Sequence, residues 1–266
     1  MSTLLLIASS LITISQSVDC SDKNPCIPLL SSGAVEGTMM PLIGIGTGSY
    51  GANSALNKSY TPEIWNYTTA FDVTVMAFKA GYIRWDTAID YVAVNGTADG
   101  VRNVTNEWTT TKREELFITT KTGPGTPMGY NDTLNEFKYL TELWNTSYFD
   151  LILIHWPYQN SSASSDPVCN GTNSQYNAKL CRQETWKAYE YIFTTLKGAK
   201  AIGVSNFEKS DLEDIIELGG LIPAVNQLEF HGYWHEYDLI EFCQSMNITV
   251  NSYAPLGTPD VSQGAW

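Results

Sequence analysis

The sequence predicts an α/β fold, a parallel barrel of the (β/α)8, TIM type. Three observations carry this expectation. Strand-like and helix-like segments alternate along most of the 266 residues, the pattern of βα units wound into a parallel sheet. The runs LFI (116–118) and LILI (151–154) are continuously apolar, as in strands covered on both faces. Polar residues recur at the C-terminal ends of these strands, where a parallel barrel gathers its chemistry at one mouth.

The elements follow in order. Residues 4–14, LLLIASSLITI, form an apolar run too short to span a bilayer comfortably. Ser15-Gln16-Ser17 places small residues where a signal peptidase reads, so residues 1–17 are expected to be a cleaved signal peptide. No stable membrane insertion is expected after cleavage. A polar tail follows over 18–30, and LLSSGAVEGTMM is a candidate small hairpin. The barrel is expected over 31–266. Its candidate strands are 41–47, 82–88, 116–121, 151–157, 201–206, 223–229 and 248–255. Pro62-Glu63 after Thr61 opens the first helix, which carries Trp65, Phe71, Val75 and Phe78. Further helices are expected over about 97–110, 133–145, 184–198, 208–218 and 236–246. Residues 158–183 read as a polar insertion loop.

Composition narrows the function classes. With 43% hydrophobic and 16% charged residues, the chain is not intrinsically disordered. Fifteen basic against 28 acidic residues leave a net charge of −13, so a nucleic-acid partner is not expected. Asn-x-Ser/Thr occurs nine times, at Asn57, Asn66, Asn95, Asn103, Asn131, Asn145, Asn160, Asn170 and Asn247. That excess predicts N-linked glycans and a secreted protein or one of the secretory lumen. Cys20 with Cys26, and Cys169 with Cys181, lie close enough in sequence to close short loops in an oxidising compartment. Cys243 shares a helical apolar face with Leu239, Phe242 and Met246, and reads as a buried core residue.

The predicted strand ends carry Asp86, Lys121, His155, Asn206, Gln227 and Tyr253, with Tyr91 five residues beyond Asp86. Each has a bland explanation: a helix cap, an ion-pair partner, a satisfied core histidine, a packing tyrosine. Together at one rim they point to a site, because burying polar groups unpaired costs roughly 2–7 kcal/mol. At these residues the chain resembles the aldo-keto reductase family. GYIRWDTAIDY, REELFITTK, DLILIHWP, KAIGVSNF, PAVNQLEFH and SYAPLG are similar to six family motifs in family order, from about Pro41 to Asp260.

The resemblance implies a catalytic tetrad of Asp86, Tyr91, Lys121 and His155 and a small-molecule carbonyl substrate. Reduction by hydride needs an acid for the developing alkoxide. A free tyrosine, with pKa about 10, is a poor acid at neutral pH, and a nearby ammonium lowers that value. Lys121 takes that role in this reading, with Asp86 holding the lysine and His155 donating to the carbonyl oxygen. The hydride must come from a cofactor, which the resemblance identifies as NADP(H). It implies that Ser205, Asn206 and Gln227 hold the nicotinamide carboxamide. It implies further that Tyr253 stacks on the nicotinamide ring and that Leu256 and Thr258 lie in the pyrophosphate-side loop. The glycine-rich GIGTGSYG lacks Gly-x-Gly-x-x-Gly spacing after a strand, which disfavours a Rossmann reading.

Three departures from the family pattern stand out. Gly48 occupies a position where many members carry a bulky Trp, which predicts a wider or differently shaped pocket. Val92–Gly100 replaces the usual Asn-Glu pattern after the tyrosine and contains the sequon at Asn95. Beyond the seventh strand, the eighth strand, the closing helices and the groups for the adenosine 2′-phosphate are expected to be missing. Leader, tail and insertion leave only about 210 residues for the barrel. That shortfall keeps a second reading open: a secreted, glycosylated, non-enzymatic barrel with a binding or structural role. A glycosidase built on Asp86 and Glu229, or a metal site at His231 and His235, fits the sequence poorly.

Overall fold

Seven parallel strands, in the order of the chain, form the sheet of a nearly closed barrel. The computed structural model describes residues 18–48, 65–106, 110–123, 126–158 and 164–257. The expected signal peptide, Pro62-Glu63, the sequons Asn57 and Asn160, and Thr258 lie outside the described residues. The helix expected to open at Pro62-Glu63 begins instead at Tyr67, because Asn66 is extended and serves as its cap, which leaves Trp65 outside it.

An antiparallel hairpin of β1 (Cys26–Pro28) and β2 (Met39–Pro41) precedes the barrel. Its strands flank the segment expected to form a hairpin. A disulfide between Cys20 and Cys26 ties the tail to β1. The strand expected over 41–47 is split. Met39–Pro41 belongs to the hairpin, and only β3 (Ile45–Gly46) joins the parallel sheet. Pro41 has no N–H for a sheet ladder, and the chain turns away through exposed Leu42 and Ile43.

The remaining strands fall inside their expected ranges, within a residue. They are β4 (Arg84–Asp86), β5 (Phe117–Thr122), β6 (Leu151–Ile154), β7 (Ile202–Ser205), β8 (Val225–Glu229) and β9 (Thr249–Tyr253). Between them run α1 (Tyr67–Lys79), α2 (Val94–Val104), α3 (Tyr130–Trp144), α4 (Ala178–Tyr191), α5 (Lys209–Ile216) and α6 (Tyr237–Ser245). Asn66 caps α1 by accepting from the Thr69 amide, and Asn177 caps α4 by accepting from the Leu180 amide. The cap at Asn177 starts α4 earlier than the expected position 184. Gly96 and Gly100 let α2 lie on α1, since a Cβ at Gly96 would sit 2.3 Å from the Tyr67 carbonyl oxygen.

Strand alternation creates two cores. Ile118, Ile152, Ile154, Ile202 and Val204 point outward and pack with the helices around Trp186, Phe137 and Leu212. Phe117, Leu151, Leu153 and Val225 point inward, where Leu29 and Met40 of the hairpin region seal the N-terminal end of the barrel. Arg84 lies on this inner face. Its guanidinium donates to the Pro41 carbonyl at 2.9 Å and to Asn251 of β9, so it ties the hairpin to the last strand of the sheet. Burial lowers its pKa from the ordinary value, with Asp86 opposing. Cys243 is buried on α6 as expected. No helix among the described residues is long and apolar enough to cross a membrane.

Candidate active site

The inward parity that buries Phe117, Leu151 and Val225 at one end of the barrel carries polar residues at the other. Two residues along each strand return to the same face. Lys121 therefore lies above Phe117, His155 above Leu151 and Leu153, Gln227 above Val225, and Asp86 above Arg84. Ser205 ends β7 opposite Gln227 in register, and Tyr253 ends β9. Tyr91 arrives from the loop between β4 and α2. That loop is pinned to β5 by the Ile89 amide, which donates to the Lys121 carbonyl at 3.0 Å.

The four residues expected to form a tetrad come together. Lys121 is fully buried. Its ammonium donates to Asp86 Oδ1, to the Thr87 carbonyl at 3.0 Å and to Tyr91 Oη at 3.2 Å, which uses all three of its protons. The other oxygen of Asp86 accepts from Gln227 Nε2 at 2.7 Å. Burial is the largest single influence on Lys121 and acts downward, yet Asp86 and Tyr91 together hold its pKa above the ordinary value. Tyr91 differs from the sequence expectation. Burial, the larger effect, raises its pKa, and the Lys121 charge pulls it back only in part. Tyr91 is therefore a fully protonated phenol at neutral pH. Because its oxygen accepts from Lys121, its own proton is free to be donated elsewhere. The rings of Tyr91 and His155 meet edge to face, with centroids 5.5 Å apart.

The residues expected at the nicotinamide adjoin the tetrad. Ser205 Oγ donates to the Gln227 carbonyl at 2.9 Å. Asn206, in the left-handed region at φ 61°, donates through Nδ2 to the His155 carbonyl at 2.9 Å. Tyr253 Oη donates to Asn206 Oδ1 at 2.8 Å, and burial pushes the Tyr253 phenol up to about 12. Two carboxamides, a hydroxyl and a tyrosine ring at one mouth form a donor set that fits a flat ring bearing a carboxamide. Leu256 lies on an exposed turn closed by the Gly257 amide and the Ala254 carbonyl.

Sequence reasoning missed three features. The first is Asp90, whose Oδ1 lies 3.3 Å from His155 Nδ1. The second is the Gly123 carbonyl, 3.1 Å from that same nitrogen. An acidic residue directly before the tyrosine was the available signal for Asp90, whereas nothing in the sequence singles out a backbone carbonyl. The third is Glu136 on α3, whose carboxyl burial pushes up to about 8. Gly48, expected to widen the pocket, lies against Tyr91. A Cβ there would come within 3.0 Å of the Tyr91 ring.

The β6–α4 loop is anchored beside this mouth. Ser164 Oγ lies 2.7 Å from the Met128 carbonyl oxygen and 2.9 Å from Asp132 Oδ2, its one proton shared between them, and the Cys169–Cys181 disulfide ties the loop to α4.

The profile of the Aldo/keto reductase family matches residues 42–263. The D-galacturonate reductase of Fragaria ananassa is 32% identical over 244 residues, 91% of this chain and 70% of that protein. The 9,11-endoperoxide prostaglandin H2 reductase of Trypanosoma cruzi is 34% identical over 182 residues, 68% of this chain and 55% of that protein. The chain thus spans little more than half the length of some curated relatives it matches. Among solved structures, the Bombyx mori aldo-keto reductase in complex with NADP is similar with a TM-score of 0.69 at 25% identity, covering 92% of this chain and 71% of that one. An aldo/keto reductase from Brucella melitensis is similar with a TM-score of 0.66 at 27% identity, covering 88% and 74%. By its strand order, its inward polar set and these likenesses, the chain belongs to the aldo/keto reductase family.

Proposed function

We propose that this chain is an NADP(H)-dependent oxidoreductase that reduces aldehydes and ketones to alcohols, with Tyr91 as the proton donor. One observation carries the proposal. Tyr91 Oη accepts from a lysine that is itself held charged by Asp86, so the phenol keeps its proton while a cation waits beside its oxygen. The bound cofactor supplies the hydride. Ser205, Asn206 and Gln227 would hold its carboxamide, and Tyr253 its ring face. Thr258 is proposed for the pyrophosphate side with Leu256. As the carbonyl carbon takes up hydride, its oxygen gains negative charge. Tyr91 then gives up its proton to that oxygen, and Lys121 stabilises the phenolate left behind. Solvent restores the proton. The reductases among the relatives favour this catalytic reading over a non-enzymatic barrel.

The test is Tyr91→Phe, assayed by NADPH oxidation with a panel of aldehydes. Turnover should fall by roughly 10²–10⁴-fold, with NADPH binding, read by fluorescence, unchanged. Equal activity in both proteins would remove Tyr91 from the proposed role.

The compartment proposed is the secretory lumen or the exterior. Two disulfides support it. So do the exposed sequon residues Asn66, Asn95, Asn103, Asn131, Asn145 and Asn247, which are open to glycans.

A further inference from the structure

The turn between β8 and α6 carries aromatic side chains that the fold does not bury. Tyr233 is 93% exposed, Tyr237 67% and Trp234 57%, with Phe230 exposed beside them. Single exposed aromatics are ordinary on a protein surface, whereas several on one turn mark an interaction site. The turn is held in shape. The His231 amide donates to the Trp234 carbonyl at 2.9 Å and the Trp234 amide to the His231 carbonyl at 3.1 Å, which puts Gly232 and Tyr233 at the tip. The Tyr233 amide donates to His231 Nδ1 at 3.2 Å. Ser252 Oγ of β9 donates to the Phe230 carbonyl at 2.6 Å, the nearer of its two acceptors. His235 lies against both Phe230 and Tyr237, with ring centroids 6.0 and 4.5 Å away. A turn fixed in this way loses little freedom when a partner binds.

Charge selects the partner. Residues 210–266 contain no Lys or Arg, against nine Asp and Glu. The acids of α5 meet cations: Arg182 pairs with Asp211 and Asp214, Lys179 with Asp214 and Glu217. Lys209, the last cation of the chain, lies 3.8 Å from Glu213 and over the Phe242 ring at 5.2 Å. Around the turn the acids have no such cations. Glu229 Oε1 lies 3.1 Å from His231 Nε2. Glu236, Asp238 and Glu241 are exposed and form no ion pair among the described residues. Aromatic rings set among unpaired carboxylates attract a cation twice, through the ring quadrupoles and through net charge. Arginine fits best, because its planar guanidinium both stacks on rings and forks to carboxylates. The same charges repel nucleic acid and anionic lipid. No Asn-x-Ser/Thr falls between Asn170 and Asn247, so no glycan is expected on the turn.

We propose that the β8–α6 turn is a docking surface for an arginine-rich segment of another protein. Tyr233, Trp234 and Tyr237 supply the faces on which guanidinium groups stack, and Glu236, Asp238 and Glu241 meet their charge. Trp, Tyr and Arg are the residue types that dominate binding energy at interfaces, and such anchors pair across them. The surface follows the C-terminal end of β8 but uses none of the tetrad or nicotinamide-side residues, so it is independent of the reductase reading.

A fluorescein-labelled hexa-arginine peptide tests the proposal, by fluorescence anisotropy with the full chain. Tyr233→Ala and Trp234→Ala should each weaken binding by about two- to fivefold, and the double variant by about tenfold. Both side chains are exposed, so melting temperatures should match wild type. A hexa-lysine peptide of equal charge should bind more weakly than hexa-arginine. Glu236→Gln combined with Asp238→Asn should weaken binding and reduce its salt dependence, whereas Glu142→Gln on α3, exposed and distant in sequence, should leave it unchanged. Equal affinity for the two peptides, no loss in the aromatic variants, or an equal loss in Glu142→Gln would show that the net charge of −13 attracts cations without a defined surface, and would overturn the proposal. Aromatic-dependent binding to neutral phosphatidylcholine vesicles or to a chito-oligosaccharide, with no binding of hexa-arginine, would overturn it too and assign the face to a lipid or a glycan.

Discussion

Replacing Glu136 by Gln should flatten part of the protein's stability against pH. Glu136 sits on α3 at 7% exposure, and neither carboxyl oxygen has a hydrogen bond of good geometry. Burial is the main cause of the rise of its pKa from 4.5 to about 8. Asp132 and Asp90 reinforce it, and polar groups of Thr126 and Gly123 offset it only in part. At about 1.4 kcal/mol per pH unit, that rise is worth roughly 5 kcal/mol. The sign follows from which state binds the proton more tightly, and here it is the folded one. The stabilisation is complete below about pH 4.5, where both states are protonated, and is lost as pH climbs toward 8. Glutamine does not titrate, so Glu136→Gln escapes this loss. Urea unfolding of both proteins between about pH 5 and 9 measures it. The variant's advantage should grow across the range and level off above about pH 8, with a total midpoint change of about 1–2 M. Every other group titrates in both proteins and cancels in the difference. Parallel stability curves would refute the reasoning and show that the folded protein accommodates a charged Glu136.

Two shorter predictions concern the mouth and the surface. Gly48→Ala places a methyl 3.0 Å from Tyr91 Cζ and 3.3 Å from Oη, so the phenol must shift by a few tenths of an ångström. Turnover of aldehydes should drop by about tenfold with little change in melting temperature, and unchanged turnover would mean that Tyr91 works from another position. Expressed through a eukaryotic secretory pathway, the protein should lose mass on treatment with a peptide N-glycosidase; a mass equal to that of the bare polypeptide would contradict the proposed compartment.

The barrel was legible because its signals are local. LILI is apolar at every position, and the strands after it end in polar residues whatever the distant chain does. Parity did the rest, since Lys121 is four residues from Phe117 and His155 four from Leu151, and even spacing returns a strand to the same face. Boundaries were less legible where a cap decided them. Asn177 starts α4 because its side chain satisfies the Leu180 amide, a local bond that competes with many other asparagines in a polar loop. The first strand was misread as continuous because apolar content says nothing about which partner a strand takes. Met39–Pro41 pairs with Cys26–Pro28, whereas Ile45–Gly46 pairs with β4.

From sequence alone came the fold class and the row of polar residues at the strand ends, since these depend on short-range order, two-residue alternation and position at a strand end; their grouping into a tetrad and a nicotinamide side was an expectation from the family resemblance. Tertiary structure alone decided the electrostatics. The net upward pKa of Tyr91 reflects burial against a lysine 30 residues away, and whether burial or charge wins depends on packing that no motif encodes. Asp90 reaches His155 only because the β4–α2 loop is pinned to β5. Arg84 and Asn251, separated by 167 residues, meet only because the sheet curves until β4 and β9 face each other across the barrel. Contacts of that range depend on the curvature of the whole sheet, which is a collective property of seven strands.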